Sequence, residues 1–232
     1  MNRAKKAEDD LLTQPLCAVR RDRSWLAWKL HRFFLKHPFG WRTLRLGEDI
    51  QWRVKYLAEG KCNYIFRVRG AHRLLRISKP QFYAPGIPVG EHLARQNCMI
   101  MNSLAARGLS VPCEHIYGGA LLVEDAGKPL HHFRFDDWRF LDNLFAGIEA
   151  WSCEYRKVIL DYNEGNWCWY GGVVRLVDVD VNFICALDEV GHHPLVKRRV
   201  NIEAGMDDRQ ILAAFLRVEL CLLREYLENM RQ

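Results

Sequence analysis

Four polar side chains in a largely apolar stretch have the types and spacing that phosphoryl transfer requires. Asp161 and Asn166 are five residues apart, Asp178 follows twelve residues later at the end of the run VVRLV, and Asp180 comes two residues beyond. Oxygen ligands of this kind hold Mg²⁺ against phosphates, and a carboxylate can accept the proton of an attacking hydroxyl. Asp161, Asn166 and Asp178 are therefore the candidate catalytic set. The candidate metal ligands are Asn166, Asp178 and Asp180.

Residues that could bind phosphates precede this stretch. Gly60, in AEGKCNYIF, lies between two strand-like runs and permits a tight turn whose backbone N–H groups can cover a phosphate. Arg76, in LLRIS, is a cation flanked by apolar residues, and Glu91 opens the next predicted helix, where it could pair with Arg76. Each feature is weak by itself, and their order along the chain is what points to a nucleotide.

In this order of features the chain resembles the protein-kinase-like superfamily, over most of residues 50–182. EGKCNYIF is similar to the glycine-rich loop of that superfamily, LLRIS to its third strand, LLVEDAGKPL to its hinge, DYNEGN to its catalytic loop and LVDVD to its metal-binding stretch. The resemblance implies ATP and Mg²⁺ as cofactors, with Asp161 as the base and Asp178 as the principal metal ligand. It also implies a set of nucleotide-binding residues, namely Gly60, Asn63, Arg76, Glu91 and Glu124.

Several positions depart from the superfamily pattern. Arginine replaces the usual lysine at position 76, Ile159-Leu160 replaces the His-Arg before the base, and Asp180 replaces the last glycine of the metal-binding stretch. The arginine and the E-G-x-x-N loop are similar to inositol-pentakisphosphate 2-kinases, whose Glu-x-Lys-Pro-Lys stretch is absent here. About fifty residues follow Asp180, so we expect a small or glycan-type acceptor. The alternative is a pseudokinase, a nucleotide-binding or regulatory module without transfer activity.

The elements that would position these residues give an α+β fold. Three strand-like runs in residues 50–77, a helix and two further strands predict a five-stranded antiparallel N-terminal lobe with one helix. A helix after position 138, strands near 158–160, 167–169 and 173–178, and a long last helix predict a reduced, mostly helical C-terminal lobe. The predicted domains are a basic arm at 1–47, an N-lobe at 48–125 and a small C-lobe at 126–232.

Basic charge is concentrated in the arm. Residues 1–47 carry eleven Lys or Arg against four Asp or Glu, whereas the whole chain has a formal charge of +6. Residues 24–36 form a predicted amphipathic helix with two tryptophans near its polar edge. Two interpretations of this helix stay open: it binds an anionic membrane surface, or it packs on the domain with solvated lysines. Membrane binding would fit a lipid-linked sugar as acceptor, as in the bacterial lipopolysaccharide core kinases of this superfamily.

Composition limits the other classes of protein. The 232 residues are 49% apolar and 12% aromatic, which is typical of a globular chain. Its eight scattered cysteines contain no C-x-x-C pair, which favours reduced thiols in a cytoplasmic protein; if the arm binds a membrane, the protein lies at the cytoplasmic face. Nucleic acid is a disfavoured partner because the body is slightly acidic. The segment 178–189 also matches a calcium-binding EF-hand loop, except that Phe183 stands where that loop needs glycine.

Overall fold

The computed structural model describes residues 40–46, 50–59, 63–78 and 91–230. The chain forms two compact units, each treated separately below. Unit 1 comprises Met1–Asn102 and Pro112–Asp125, and unit 2 comprises Ser103–Val111 and Ala126–Gln232. Both mix strands with helices, so the α+β class is confirmed. The predicted helix at 24–36 lies outside the described residues.

Unit 1 is built on one antiparallel sheet in the order β1-β2-β3-β4-β6-β5. Its strands are β1 (Trp41–Leu46), β2 (Ile50–Glu59), β3 (Asn63–Val68), β4 (Arg73–Ser78), β5 (Cys113–Tyr117) and β6 (Ala120–Glu124). The helix α1 (Glu91–Ala105) lies between β4 and β5 in the sequence.

Alternation along the strands sends apolar residues to one face of this sheet. Val54, Phe66 and Leu75 are fully buried on that face, where they belong to a cluster of nine buried residues. In β2 the residues on either side of Val54, Arg53 and Lys55, are exposed. This period of two is what a pleated strand with one buried face requires.

The strand number predicted for this sheet is wrong: it has six strands, not five. The extra strand is β1, which pairs with β2 from Trp41↔Lys55 to Leu46↔Ile50 and was assigned to the basic arm. Its two arginines and its place at the sheet edge explain the error, because edge strands carry charge that discourages further pairing. Leu44 is its buried residue and anchors it to the core.

Unit 2 contains three helices and two small antiparallel sheets among its described residues. The helices are α2 (Arg139–Tyr155), α3 (Pro194–Arg199) and α4 (Asp208–Asn229). The strands are β7 (Lys128–Pro129), β8 (Lys157–Ile159), β9 (Trp167–Tyr170), β10 (Val173–Leu176) and β11 (Ile184–Ala186). The sheets have the orders β10-β9-β7 and β11-β8. The predicted strands near 158, 167 and 173 are thereby confirmed.

Helix α4 is fixed at its start and along its apolar face. Asp207 caps it, since its carboxylate accepts from the Gln210 backbone N–H at 2.8 Å while the Gln210 side chain accepts from the Asp207 N–H at 2.9 Å. Such reciprocal capping satisfies two N–H groups that the helix itself leaves unpaired. Phe215 and Leu212 are then fully buried. None of the helices in the described part of the chain has the length and apolar character needed to cross a bilayer.

Gly127 permits the closest backbone approach in unit 2. Its φ is +89°, and a Cβ placed there would lie 2.3 Å from the Trp169 carbonyl oxygen on β9. Gly205 has nearly the same φ, +92°, with open space where its Cβ would be. Gly205 therefore serves as a matched control that separates backbone strain from steric clash.

We predict that Gly127→Ala destabilises the protein much more than Gly205→Ala. The φ strain shared by both substitutions costs about 1–2 kcal/mol, whereas the clash with a strand backbone adds a packing cost of about 1–3 kcal/mol. Thermal unfolding followed by circular dichroism should show a loss of roughly 5–15 °C for Gly127→Ala and about 2–6 °C for Gly205→Ala. Equal losses would show that β9 moves away from position 127 easily.

Candidate active site

A network of backbone hydrogen bonds holds the loop between β8 and β9. The Val177 N–H donates to the Asn166 carbonyl at 2.8 Å, directly after β10. The Leu160 N–H donates to the Phe183 carbonyl at 2.8 Å, beside the pairing of β8 with β11. Residues 164–166 form a short 3₁₀ helix between these two anchors. The chain that follows β10 is therefore tied to both ends of the loop that carries Asp161.

The Tyr162 ring anchors this loop in the core of unit 2. It stacks on Trp167, with centroids 5.9 Å apart and an interplanar angle of 13°, and it contacts Phe145 at 5.5 Å and Phe215 at 6.0 Å. Burial raises the pKa of the Tyr162 hydroxyl well above its ordinary value, with a further contribution from the charge of Glu219. A fixed Tyr162 leaves its neighbour Asp161 little freedom to move.

Asp161 is a partly buried carboxylate held by amide groups. Its Oδ1 accepts hydrogen bonds from the Asn163 side chain at 2.7 Å and from the Asn163 backbone N–H at 3.3 Å. Burial raises the pKa of Asp161, hydrogen bonds from Asn163 and Asn166 oppose that rise, and the charge of Asp178 adds to it. The fold thus brings three residues that are up to seventeen positions apart in the sequence within electrostatic range of one another: Asp161, Asn166 and Asp178.

Asn166 is 8% exposed, and its amide nitrogen is buried without a hydrogen bond of regular geometry. Its contact with the Asp161 carboxylate lowers the pKa of that acid. The hydrogen bond is weak because its geometry is irregular. A buried amide that lacks full pairing normally costs stability.

Asp180 has a local structural role. Its Oδ1 accepts from the Asn182 backbone N–H and from the Asn182 side chain, both at 3.0 Å, and this caps the 3₁₀ helix Val181–Phe183. The segment is entered from strand β10 and continues into β11, whereas an EF-hand loop is entered from a helix. The described residues include no cluster of three or more His, Cys, Asp or Glu side chains arranged around a metal position.

An open cleft of about 330 Å³ lies beside Asp161 within unit 2. Glu219 of α4 and Arg199 of α3 also line it and form an ion pair at 3.4 Å. Burial raises the pKa of Glu219, Arg199 opposes the rise, and the charge of Asp161 adds to it. The sequence analysis missed both residues. The signal for Glu219 was an acid on the apolar stripe of the last helix, between Leu216 and Leu223.

The predicted nucleotide-binding residues lie in unit 1. The register pairs Ile65 with Arg76, so that Asn63 at the start of β3 and Arg76 on β4 share one face of the sheet. Glu124 at the end of β6 falls on the other face, opposite Arg73. Arg76 is buried, and its Nη1 lies 3.8 Å from the Met101 sulfur of α1. Gly60 lies outside the described residues.

Glu91, the first residue of α1, forms an ion pair with Arg95 one turn further along. The hydrogen bond from the Arg95 guanidinium to the Glu91 carboxylate lowers the pKa of Glu91. An acid in the first turn also interacts favourably with the helix dipole.

Scans of the chain against protein-family models and against curated proteins give no match.

We predict that Asp161→Asn is more stable than wild type at neutral pH. The folded-state pKa of Asp161 is raised, so the carboxyl group ionises more readily in the unfolded chain than in the folded protein. The free energy of unfolding therefore falls as the pH rises through the folded-state pKa. The substitution removes this loss and keeps an oxygen acceptor for Asn163.

Melting curves at a series of pH values measure the effect. The advantage of Asp161→Asn at pH 7 should shrink as the pH falls toward 3.8, the ordinary pKa of the aspartate. Asp188→Asn, at an exposed acid, is the control. An Asp161→Asn variant that is less stable than wild type at pH 7 would mean that the hydrogen bonds to the carboxylate outweigh its burial.

Proposed function

We propose that the protein is an ATP- and Mg²⁺-dependent phosphotransferase with a two-lobed protein-kinase-like fold. It transfers a phosphoryl group to a hydroxyl of a small-molecule, sugar or lipid-linked glycan acceptor. The observation that carries the proposal is Asp161, in contact with Asn166 and within range of the Asp178 charge, at the wall of an open cleft. A carboxylate so placed can meet an acceptor hydroxyl, which is the requirement for a base in this chemistry.

The residues present are suited to Mg²⁺. Two carboxylates in mutual repulsion would be stabilised by a divalent cation, and the amide oxygen of Asn166 could join them as a ligand. Asn166 and Asp178 are the proposed ligands, with Asp180 as a third candidate. Mg²⁺ bound there would neutralise charge on the phosphates of ATP. Sites of this kind use only one or two protein carboxylates, because substrate phosphates supply further ligands.

Asp161 is the proposed base. Two hydrogen bonds from Asn163 orient its Oδ1. The next residue, Tyr162, stacks on Trp167 and so fixes the backbone that carries Asp161. The raised pKa makes Asp161 a better proton acceptor than an exposed aspartate. In the proposed reaction it takes the proton of the acceptor hydroxyl as the oxygen attacks the γ-phosphorus of ATP, the bond from that phosphorus to the β–γ bridging oxygen breaks, and ADP leaves.

The roles in unit 1 are proposed from the resemblance. Arg76 would contact phosphates as a permanent cation, Glu91 would help to orient it, and Gly60, Asn63 and Glu124 would complete nucleotide binding. The pseudokinase alternative draws support from Arg76, since a buried guanidinium lying on Met101 is less accessible than a phosphate-binding cation needs to be. Phosphate transfer separates the two functions directly.

We predict that ATP with Mg²⁺ raises the melting temperature of wild type and that Asp178→Asn loses the Mg²⁺-dependent part of the rise. At 100 times its dissociation constant a ligand adds about 2.7 kcal/mol, or roughly 5–10 °C here. Asp161→Asn should keep that rise and lose about 10²–10⁴-fold in transfer to a sugar panel. Asp188→Asn, at an exposed acid, should match wild type in both assays.

The combination of results separates the alternatives. A Mg²⁺-dependent shift with no transfer to any acceptor would favour the pseudokinase. No shift at saturating ATP would contradict the phosphotransferase and the nucleotide-binding form of the pseudokinase, because each requires a nucleotide site. A shift that is equal in wild type and Asp178→Asn would remove Asp178 from the proposed metal site.

The membrane proposal is a separate part of the function. We propose a cytoplasmic protein whose arm binds the anionic cytoplasmic face of a membrane through residues 24–36, next to a lipid-linked acceptor. Deleting residues 1–39 preserves β1, which begins at Trp41. This deletion should abolish sedimentation with vesicles of anionic lipid and leave the ATP-dependent shift unchanged. Unchanged sedimentation would refute membrane binding by the arm.

A further inference from the structure

Two buried cysteines of unit 1 meet between helix α1 and strand β5. Cys98 lies on α1, Cys113 is the first residue of β5, and both are free thiols. The Cys98 Sγ donates to the Cys113 carbonyl oxygen at 3.1 Å. The two side chains are also within hydrogen-bonding reach of each other. Two thiols that are fifteen positions apart in the sequence therefore lie side by side in the folded protein.

Asn102 fixes the position of Cys113 relative to α1. Its Oδ1 accepts from the Cys113 backbone N–H at 2.8 Å, and its Nδ2 donates to the Cys113 carbonyl at 2.8 Å. Both backbone groups are available because β5 is the last strand of its sheet, and the bond to β6 at this point runs from the Glu124 N–H to the Pro112 carbonyl. Asn102 follows Cys98 by four residues on the same helix, so these bonds hold Cys113 beside the Cys98 thiol.

The surroundings distinguish the two thiols. The Asn102 Nδ2 lies 3.6 Å from the Cys98 Sγ, where its N–H can donate to a thiolate. The hydrogen bond from the Cys113 side chain, together with those from the His115 backbone and Asn102, lowers the pKa of Cys98 against the effect of burial. The hydrogen bond with Cys98 and burial both raise the pKa of Cys113. Cys98 is therefore the thiol that ionises first, and the thiolate is the reactive form of cysteine.

We propose that Cys98 and Cys113 are a redox-active pair, which hydrogen peroxide converts to a disulfide that joins α1 to β5. The Cys98 thiolate attacks one oxygen of the peroxide, the O–O bond breaks, and hydroxide leaves and takes a proton to become water. The Cys113 sulfur then attacks the sulfenic sulfur of Cys98, and the sulfenic hydroxyl leaves with the Cys113 proton as a second water. The two sulfurs lose two electrons, which reduce the peroxide. This inference does not depend on the proposed function.

Burial restricts which oxidants can reach the pair. Cys98 is 7% exposed and Cys113 is 8% exposed. Hydrogen peroxide is little larger than water and can enter such a site, whereas bulky thiol reagents react first with an exposed cysteine such as Cys221. The disulfide would fix the helix that also carries Met101, which lies on Arg76.

Oxidation of the full chain with hydrogen peroxide tests the inference. The treated protein is quenched in acid and alkylated in denaturant, and the monomeric band of a non-reducing gel is digested with trypsin. Trypsin cleaves after Arg107, so Cys98 and Cys113 fall on separate peptides. Mass spectrometry should find these two peptides joined, with the loss of two hydrogen atoms, and dithiothreitol should separate them.

Three substitutions test the role of each thiol. Cys98→Ser and Cys113→Ser should each abolish the joined peptides. In Cys113→Ser the sulfenic acid on Cys98 lacks its partner thiol and should be trapped by dimedone, whereas in Cys98→Ser the Cys113 thiol should stay reduced at the same peroxide dose. Cys221→Ser, at an exposed cysteine of α4, is the control and should retain the joined peptides. Circular dichroism establishes that each variant is folded.

The wild-type result decides the inference even where a serine variant fails to fold. A pair that stays reduced while peroxide oxidises Cys221 would overturn it, because both cysteines would then be inert apolar side chains of the core. A disulfide from either residue to a different cysteine would also overturn it. Dimedone on Cys113 in Cys98→Ser, with none on Cys98 in Cys113→Ser, would contradict the assignment of Cys98 as the nucleophile.

Discussion

The hydrogen bond from the Val177 N–H to the Asn166 carbonyl, at 2.8 Å, is the constraint on which the candidate site depends. It closes the β9–β10 hairpin, whose turn at Gly171 and Gly172 uses φ values of +58° and +86°. The residue after Val177 is Asp178, so this bond returns the third acid of the sequence pattern to the loop that carries Asp161. Without the hairpin that this bond closes, Asn166 and Asp178 would lie twelve positions apart with nothing to bring them close.

The loop is rigid because its aromatic residues are buried. This rigidity holds carboxylates in surroundings that disfavour their ionised forms. Tyr162 is packed among Phe145, Trp167 and Phe215. Burial and like charges raise the pKa values of Asp161 and Glu219. Groups that lower stability in this way are usually kept for function. This physical feature underlies the proposed role of Asp161 as the base.

Patterns of short range were readable from the sequence, and those that depend on tertiary packing were not. Alternation located the strands around Val54, Phe66 and Leu75, and the order of Asp161, Asn166 and Asp178 anticipated their proximity. The edge strand β1 was missed because its arginines resemble those of the basic arm. The pairing of Arg199 with Glu219 depends on how α3 packs on α4, and an acid on an apolar helix stripe does not reveal its partner.

The central claim is that Asp161, Asn166 and Asp178 form a metal–nucleotide site, and Mn²⁺ in place of Mg²⁺ tests it most directly. The relaxation rate of water protons rises when a Mn²⁺–nucleotide complex binds a slowly tumbling protein. With a non-hydrolysable ATP analogue, wild type and Asp188→Asn should raise that rate, and Asp178→Asn should not. Mn²⁺ without the analogue should bind weakly, since two carboxylates and one amide leave several ligand positions to the phosphates. An equal rise in wild type and Asp178→Asn, or no rise in either, would contradict the claim.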